Sequence, residues 1–282
     1  MRSWVCGDKI IPLGETTAIM GIVNTTPDSF SDGGNLPTLD AALTHALALA
    51  DAGATIIDIG GESSRPGATP IDLPEEHART IPLIRALRAE RPRLPISIDT
   101  TKASIAQAAL EAGADIINDI SGLRKDPNMI DVATASRAGV IIMHMQGTPQ
   151  TMQENPAYES VVEEVFASLK DRYEQAQAKG IAADSIVIDP GIGFGKTTAH
   201  NLALLRATHI FERLAPTLIG ASRKRFLGEL TGRGDPSSRM AASLGAAAYA
   251  LMQGASILRV HDVIETCDLC RVMDTLQKGE QA

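Results

Sequence analysis

The chain has 282 residues, 44% of them hydrophobic, and carries a formal charge of -8 at pH 7. This length and apolar content are typical of one domain with a large core, and the acidic balance argues against nucleic-acid binding, since proteins that bind nucleic acids are normally basic. Because no apolar run approaches the length of a membrane span and the N-terminus lacks the apolar core of a signal peptide, we expect a cytoplasmic protein without a membrane partner.

The first predicted element is a short β-hairpin at residues 4–14. Gly7 and Asp8 separate two short pieces that are rich in β-forming residues, and a glycine beside an aspartate between such pieces is typical of a tight turn. We expect this hairpin to close the amino-terminal end of the barrel that the rest of the chain predicts.

After the hairpin, eight apolar runs that indicate β-strands alternate with segments of helical period. The polar positions at or near the ends of these runs are Asn24, Asp58, Asp99, Asn118, His144, Asp189, Ser222, and Arg259 with His261. The helical segments are predicted at 39–52, 74–90, 102–111, 127–137, 159–179, 201–213, 237–252 and 263–276. This alternation predicts a single (β/α)8 barrel, one domain covering residues 1–282. In that fold the reacting groups lie at the carboxyl ends of the strands.

Two connections that follow strands, 25–37 and 61–73, are long for a compact barrel and therefore indicate function. The first contains Phe30 and Asp32 among polar residues and glycines, and we interpret it as a lid that folds over a substrate. The second places Ser63, Ser64 and Arg65 beside glycines directly after a strand. Glycines let the backbone approach an anion, and a guanidinium binds phosphate through two parallel hydrogen bonds. The second loop therefore predicts a phosphate site.

Basic residues also gather at strand ends of this acidic chain. They are Arg65, Lys224 with its neighbours Arg223 and Arg225, Arg259, and His261. Their convergence predicts a ligand with more than one negative charge.

Acceptor groups end three other strands, at Asp99, Asn118 and Asp189. A carboxylate between apolar strands is unfavourable unless donors satisfy it. A heterocycle with adjacent ring N–H and exocyclic amino groups offers such donors, so these residues predict a planar aminopyrimidinone ligand. Structural ion pairing between the acids and the arginines is the alternative that stays open.

Several segments together resemble the dihydropteroate synthase family, over about residues 4 to 276. They are MGIVNTTPDSFSDGG at 20–34, GGESSRPG at 60–67, IDT at 98–100, DPGIGFG at 189–195, GASRK at 220–224 and RVHD at 259–262. Members of that family join 4-aminobenzoate to the 6-hydroxymethyl-7,8-dihydropterin diphosphate ester, which gives 7,8-dihydropteroate for folate synthesis and releases pyrophosphate. The resemblance implies the same barrel, Mg²⁺ as cofactor, sulfonamides as competitive inhibitors and a homodimer formed through the later helices.

The resemblance also implies three groups of site residues. The pterin ring would be bound by Asp99, Asn118, Met143, Asp189, Lys224 and Arg259. The diphosphate and its Mg²⁺ would be contacted by Asn24, Ser64, Arg65, Arg259 and His261, with Asn24 as the direct metal ligand. The aminobenzoate pocket would be formed by Phe30, Pro66, Phe194, Ser222 and Lys224. From its position in the lid alone, rather than from the resemblance, we expect Asp32 to shield or stabilise a cationic intermediate. Many family members have Thr where this chain has Ser64, a change that keeps the hydroxyl.

The expected mechanism is departure of the diphosphate before the amine attacks, because a dihydropterin can delocalise positive charge from its exocyclic CH2 group. Three alternatives stay open. A methyltransferase that uses methyltetrahydrofolate would share the barrel and the acids but would have no use for Arg65 and Arg259. A non-catalytic pterin-binding paralogue would keep the pocket without turnover, and a Schiff-base aldolase would use Lys224 as its nucleophile.

Overall fold

The barrel is built from parallel strands in the order in which the sequence predicts them. The computed structural model describes residues 2–14, 16–26 and 38–278. In these residues the barrel strands are β3 (Ala18–Asn24), β4 (Ile56–Gly60), β5 (Ile96–Asp99), β6 (Ile116–Asp119), β7 (Gly139–Met143), β8 (Ile186–Asp189), β9 (Leu218–Ile219) and β10 (Ile257–Val260). The sheet runs from β8 through β3 to β10 and β9, and a parallel bridge between Ile188 and Thr217 brings its two edges together. The predicted (β/α)8 barrel is confirmed.

Helices cover the outside of the strands. They are α1 (Leu39–Asp51), α2 (Leu73–Glu90), α3 (Ala103–Glu111), α4 (Met129–Ser136), α5 (Val161–Ala178), α6 (Thr198–Arg206), α7 (Thr208–Phe211), α8 (Arg225–Thr231), α9 (Met240–Met252) and α10 (Val263–Lys278). Their apolar faces pack on the outward-facing strand residues and form the larger hydrophobic core. None of the described helices is long and apolar enough to cross a membrane.

The structure divides one predicted helix and contains one helix outside the predicted segments. The segment 201–213 was predicted as one helix, but it is divided between α6 and α7 at Ala207, where the Thr208 hydroxyl donates to the Leu205 carbonyl at 2.9 Å. The segment before α9 also forms a separate short helix, α8. It ends at Gly232, whose φ of +70° is the left-handed cap conformation that glycine favours. The helical period alone shows neither the division at Ala207 nor the additional helix α8.

The N-terminal hairpin closes one end of the barrel, as predicted. Strands β1 (Arg2–Cys6) and β2 (Lys9–Leu13) pair antiparallel around Gly7 and Asp8. Trp4 is fully buried, and its indole nitrogen donates to the Ser185 carbonyl at 2.9 Å. Cys6, Ile11 and Leu13 join Trp4 in a second core beneath the barrel strands. The assignment of residues 1–282 to one domain remains a prediction.

The strand register places the predicted site residues at the opposite rim. Asn24 is in register with Gly60, Gly60 with Asp99, and Asp99 with Asn118. On the other side of the barrel Met143 is in register with Asp189. Residues that are in register on neighbouring parallel strands lie at one level, so these side chains end near the same opening.

Candidate active site

The carboxyl ends of the strands surround a cavity of about 780 Å³. The predicted site residues that line it are Asn24, Ser64, Arg65, Pro66, Phe194, Ser222, Lys224, Arg259 and His261. The other predicted residues of the described segments, which do not line it, are Asp99, Asn118, Met143 and Asp189. Phe30 and Asp32 lie outside the described residues. The structure therefore brings most of the residues predicted for diphosphate and aminobenzoate to one cavity.

Arg259 lines this cavity and forms ion pairs with two acids at its base, Asp58 and Asp99. Its Nε and Nη2 donate to Oδ2 of Asp58 at 2.7 and 2.6 Å, and Nη2 also lies 2.7 Å from Oδ2 of Asp99. Burial raises the pKa of Asp99 to about 7, against the opposing effect of the Arg259 guanidinium. The ion pairing that the sequence left open as an alternative is therefore present for Arg259. Its assignment to the diphosphate remains a prediction.

Asp189 and Lys224 form the other polar part of the pterin region. Oδ1 of Asp189 accepts a hydrogen bond from the Gly191 backbone N–H at 2.7 Å. Burial raises the pKa of Asp189, although Lys224 opposes this effect. Burial also lowers the pKa of Lys224 to about 8, although Asp189 opposes that shift. Nζ of Lys224 donates to the Ile192 carbonyl and lies 4.4 Å from the centroid of the Phe194 ring. A charged group and an apolar wall are thus adjacent at this side of the cavity.

The glycines of the segment 189–195 allow this close packing. Gly191 has a φ of +69°, and a Cβ there would lie 1.9 Å from the carbonyl oxygen of His144. Gly193 has a φ of +84°, and a Cβ there would lie 2.8 Å from Cδ of Lys224. A side chain at either position would therefore displace a strand end or the lysine.

The loop at 61–73 places Arg65 at the rim, where its side chain is exposed. The loop is held on both sides. Its Gly67 N–H donates to the Pro149 carbonyl at 3.0 Å. At its base Nζ of Lys102 donates to the carboxylates of Glu62 and Glu76. The sequence did not predict this ion cluster, because its members come from three separate segments.

Ser222 and His261 form a hydrogen-bonded pair at the rim. Nδ1 of His261 lies 3.0 Å from Oγ of Ser222, and the backbone N–H of His261 donates to the same oxygen at 3.2 Å. Burial lowers the pKa of His261 to about 3, and the neighbouring cations Arg223 and Arg259 act in the same direction. His261 is therefore neutral at pH 7 and can offer an anion a hydrogen bond but not a charge.

Lys196 is a buried cation whose place in the site the sequence did not predict. It is 2% exposed, and its Nζ donates to the Phe194 carbonyl at 2.9 Å and lies 3.1 Å from Nδ1 of His144. Burial lowers the pKa of Lys196 to about 7, and burial next to Lys196 lowers the pKa of His144 to about 3. A lysine in a sequence of glycines is normally exposed, so local pattern gave no signal.

An apolar wall adjoins these groups. Met143, predicted to pack on the pterin ring, is clustered with Met145, Met152 and Phe194. Polarisable thioethers and an aromatic ring suit a flat heterocycle or a benzoate ring.

Asn24 could bind the predicted magnesium ion only together with the phosphate oxygens of a bound substrate. Among the described residues there is no group of three or more His, Cys, Asp or Glu side chains that could hold a metal. Asn24 lines the cavity together with Ser64 and Arg65. A single amide oxygen fits Mg²⁺ that arrives with substrate phosphates and keeps several waters, which is its usual mode of binding.

The comparisons with known proteins agree with this geometry. The family model for pterin binding enzymes matches residues 20–261. The dihydropteroate synthase of Synechocystis is 45% identical over 271 residues, which are 96% of this chain and 93% of that protein. The dihydropteroate synthase of Xanthomonas albilineans, solved with 4-aminobenzoic acid, superposes with a TM-score of 0.91 at 45% identity, covering 98% of this chain and 99% of that one. That of Yersinia pestis, solved with a sulfonamide drug complex, gives 0.92 at 40% identity, covering 98% and 99%.

A match over most of the barrel, with the strand-end residues in place, defines the class: a pterin-binding enzyme built on a (β/α)8 barrel. More narrowly, the chain belongs to the dihydropteroate synthase family, since its relatives at this identity over nearly the full length are dihydropteroate synthases.

Proposed function

We propose that this chain condenses (7,8-dihydropterin-6-yl)methyl diphosphate with 4-aminobenzoate, giving 7,8-dihydropteroate and pyrophosphate. The observation that carries the proposal is the division of the site. The acceptors Asp99, which is half-buried, and Asp189, which is buried, lie at the ends of their strands, and the cations Arg65 and Arg259 line the cavity. The two parts match a ring with N–H donors and a leaving group that carries several negative charges.

The pterin ring is bound by groups that complement its hydrogen-bonding edge. The Asp189 carboxylate accepts from the adjacent ring N–H and amino group, while Asp99 and Asn118 accept from other N–H donors. Lys224 donates to the ring carbonyl and N5 side, and Met143 packs against the ring face. In support, these side chains are buried or half-buried at the level where the strands end.

The diphosphate is bound by Arg65, Arg259, Ser64 and the neutral N–H of His261. Asn24 supplies a direct oxygen ligand to Mg²⁺, which neutralises charge on the diphosphate oxygens when bound. Because Asn24 is a single neutral ligand, Mg²⁺ and pyrophosphate should bind together more tightly than either binds alone.

Departure of the diphosphate is the difficult step. The C–O bond breaks first, with the electron pair leaving on the diphosphate and the positive charge delocalised in the dihydropterin ring. Arg65 and Arg259 stabilise the charge on the leaving group. The neutral amine of 4-aminobenzoate then forms the C–N bond and loses a proton.

The second substrate is held at the rim by Phe194, Pro66, Ser222 and Lys224. In support, Nζ of Lys224 lies 4.4 Å from the centroid of the Phe194 ring, so a carboxylate on a flat ring would meet a cation beside an aromatic wall. The proposal also assigns roles to two residues of the first loop. Phe30 would help exclude water from the site, and Asp32 would stabilise the pterin cation. A sulfonamide with a flat amino-substituted ring should compete here.

The proposal is tested by following pyrophosphate release with each component omitted in turn. Rapid release that requires the pterin diphosphate, 4-aminobenzoate and Mg²⁺ supports it. Binding of the pterin without any release would indicate a non-catalytic paralogue, and methyl transfer from methyltetrahydrofolate without release would indicate a methyltransferase. Borohydride trapping of Lys224 with a keto substrate would indicate an aldolase.

The same proposal includes a cytoplasmic location and a homodimer formed through the later helices. In support of a dimer, several large apolar side chains on α9 and α10 are exposed, including Met252, Ile264 and Leu276. Sedimentation velocity over a range of concentrations tests the dimer.

A further inference from the structure

Asp58 is a buried acid that none of the roles above uses. It is the third residue of β4 and is fully buried. Its neighbours in register are Ile22 on β3 and Ser97 on β5. Side chains alternate along a strand, so Asp58 shares the inward direction of Gly60 at the rim and lies one level deeper. Burial of a carboxylate is unfavourable unless donors satisfy it, so its position directly beneath the site indicates a role there.

The first contact of Asp58 is with Asn118, across the intervening strand β5. Nδ2 of Asn118 donates to Oδ2 of Asp58 at 3.2 Å. A carboxylate beside the guanidinium of Arg259 offers only acceptors, so the Asn118 amide must turn its NH2 group towards it. The amide oxygen Oδ1, and at most one N–H, then remain for a ligand.

The second contact is with Arg259, whose Nε and Nη2 also reach Oδ2 of Asp58. Oδ1 of Asp58 is buried and has no hydrogen-bond partner among the described residues. A buried acceptor without a partner is unfavourable, so a purely structural role would be filled better by an apolar side chain. The donors of Asn118 and Arg259 instead share one oxygen, Oδ2 of Asp58, which therefore orients both side chains.

We propose that Asp58 is a positioning residue, which fixes the Asn118 amide so that the site selects a ring edge that donates hydrogen bonds. This inference rests on the proposed function, because Asp58 would act through Asn118, which the proposal assigns to the pterin ring. The chain of contacts runs from Asp58 through Asn118 to the ligand. Without Asp58 the amide can turn over and present its NH2 group, which would suit a ring that accepts at the same position.

The test compares 6-hydroxymethylpterin with 6-hydroxymethyllumazine, which carries a carbonyl oxygen in place of the exocyclic amino group. Both lack phosphate, so neither places a diphosphate on Arg259, and Asp189 is present in every protein compared. The measured quantity is the ratio of the two dissociation constants by titration calorimetry. In Asp58→Leu, which is similar in size but offers no acceptor, the preference for the pterin should fall about tenfold or more, because the Asn118 amide is then free to turn over.

Two further variants separate positioning from folding. In an Asn118→Ala background, Asp58→Leu should leave the ratio unchanged, since the group that Asp58 orients is gone. Ser97→Ala changes a buried polar residue at the same level of the next strand and should keep the wild-type ratio. An unchanged ratio in Asp58→Leu, or the same fall with and without Asn118, overturns the inference. Failure of the wild-type protein to bind hydroxymethylpterin contradicts the proposed function instead.

If Asp58→Leu does not fold, the wild-type protein still provides a test. The side-chain amide protons of Asn118, assigned by their loss in Asn118→Ala, should include one that exchanges slowly and is unchanged when hydroxymethylpterin binds. Rapid exchange of both protons in the free protein overturns the inference.

Discussion

Nη2 of Arg259 lies 2.7 Å from Oδ2 of Asp99, so the cation assigned to the diphosphate rests on an acid assigned to the pterin ring. Binding of the pterin must therefore replace this contact with a ring N–H. Arg259 can release Asp99 without being left unpaired, because its Nε and Nη2 remain on Asp58. The arginine thus keeps a buried partner while its remaining donors turn to phosphate.

The first prediction follows from the burial of Asp58. Arg259→Ala leaves this carboxylate buried without its charge partner, which should lower the free energy of unfolding by about 3 kcal/mol. Urea denaturation measures the change. The matched control is Arg271→Ala, which breaks the exposed pair with Asp268 and should leave the stability nearly unchanged. Equal stability of wild type and Arg259→Ala would mean that the buried pair is unimportant for folding.

Sequence pattern predicts the barrel because each strand is short, apolar and closed by a polar residue. It also predicts which residues share the rim, since parallel strands that alternate with helices must end at one face. It does not show where a long side chain points. Asp58, Asp99 and Arg259 are separated by up to 201 positions, and their meeting depends on barrel closure. Asp58 carried a signal, as an acid inside an otherwise apolar strand, whereas buried Lys196 carried none.

The second prediction concerns pH. Burial lowers the pKa of Lys196 from 10.5 to about 7, whereas the unfolded chain keeps the proton until near its ordinary value. Between these values unfolding takes up a proton, so stability rises with pH. Lys196→Met lacks this titrating group. Relative to that variant, the free energy of unfolding of the wild type should therefore rise by about 2 kcal/mol from pH 7 to pH 9. Parallel pH curves for the two proteins would show that Lys196 does not lose its proton there.

The third prediction is about the order of binding. If the aminobenzoate pocket is completed around bound diphosphate and Mg²⁺, then 4-aminobenzoate should bind poorly to the free enzyme and about tenfold or more tightly once pyrophosphate and Mg²⁺ are present. Phe30→Ala should raise KM for 4-aminobenzoate and leave pterin affinity nearly intact. Calorimetry and steady-state kinetics measure the two effects. Tight aminobenzoate binding that neither pyrophosphate nor the loss of Phe30 changes would contradict the lid hypothesis.

The most direct test of the divided site is one set of titrations in which 6-hydroxymethylpterin and pyrophosphate with Mg²⁺ are each bound to wild type, Asp189→Asn and Arg65→Ala. Asp189→Asn should weaken pterin binding about 10- to 100-fold, because an amide accepts only one of two donors, and should leave pyrophosphate binding unchanged. Arg65→Ala should do the reverse, since it removes a charged hydrogen-bond donor from phosphate alone. Equal losses for both ligands in either variant would contradict the division of the site on which the proposed reaction depends.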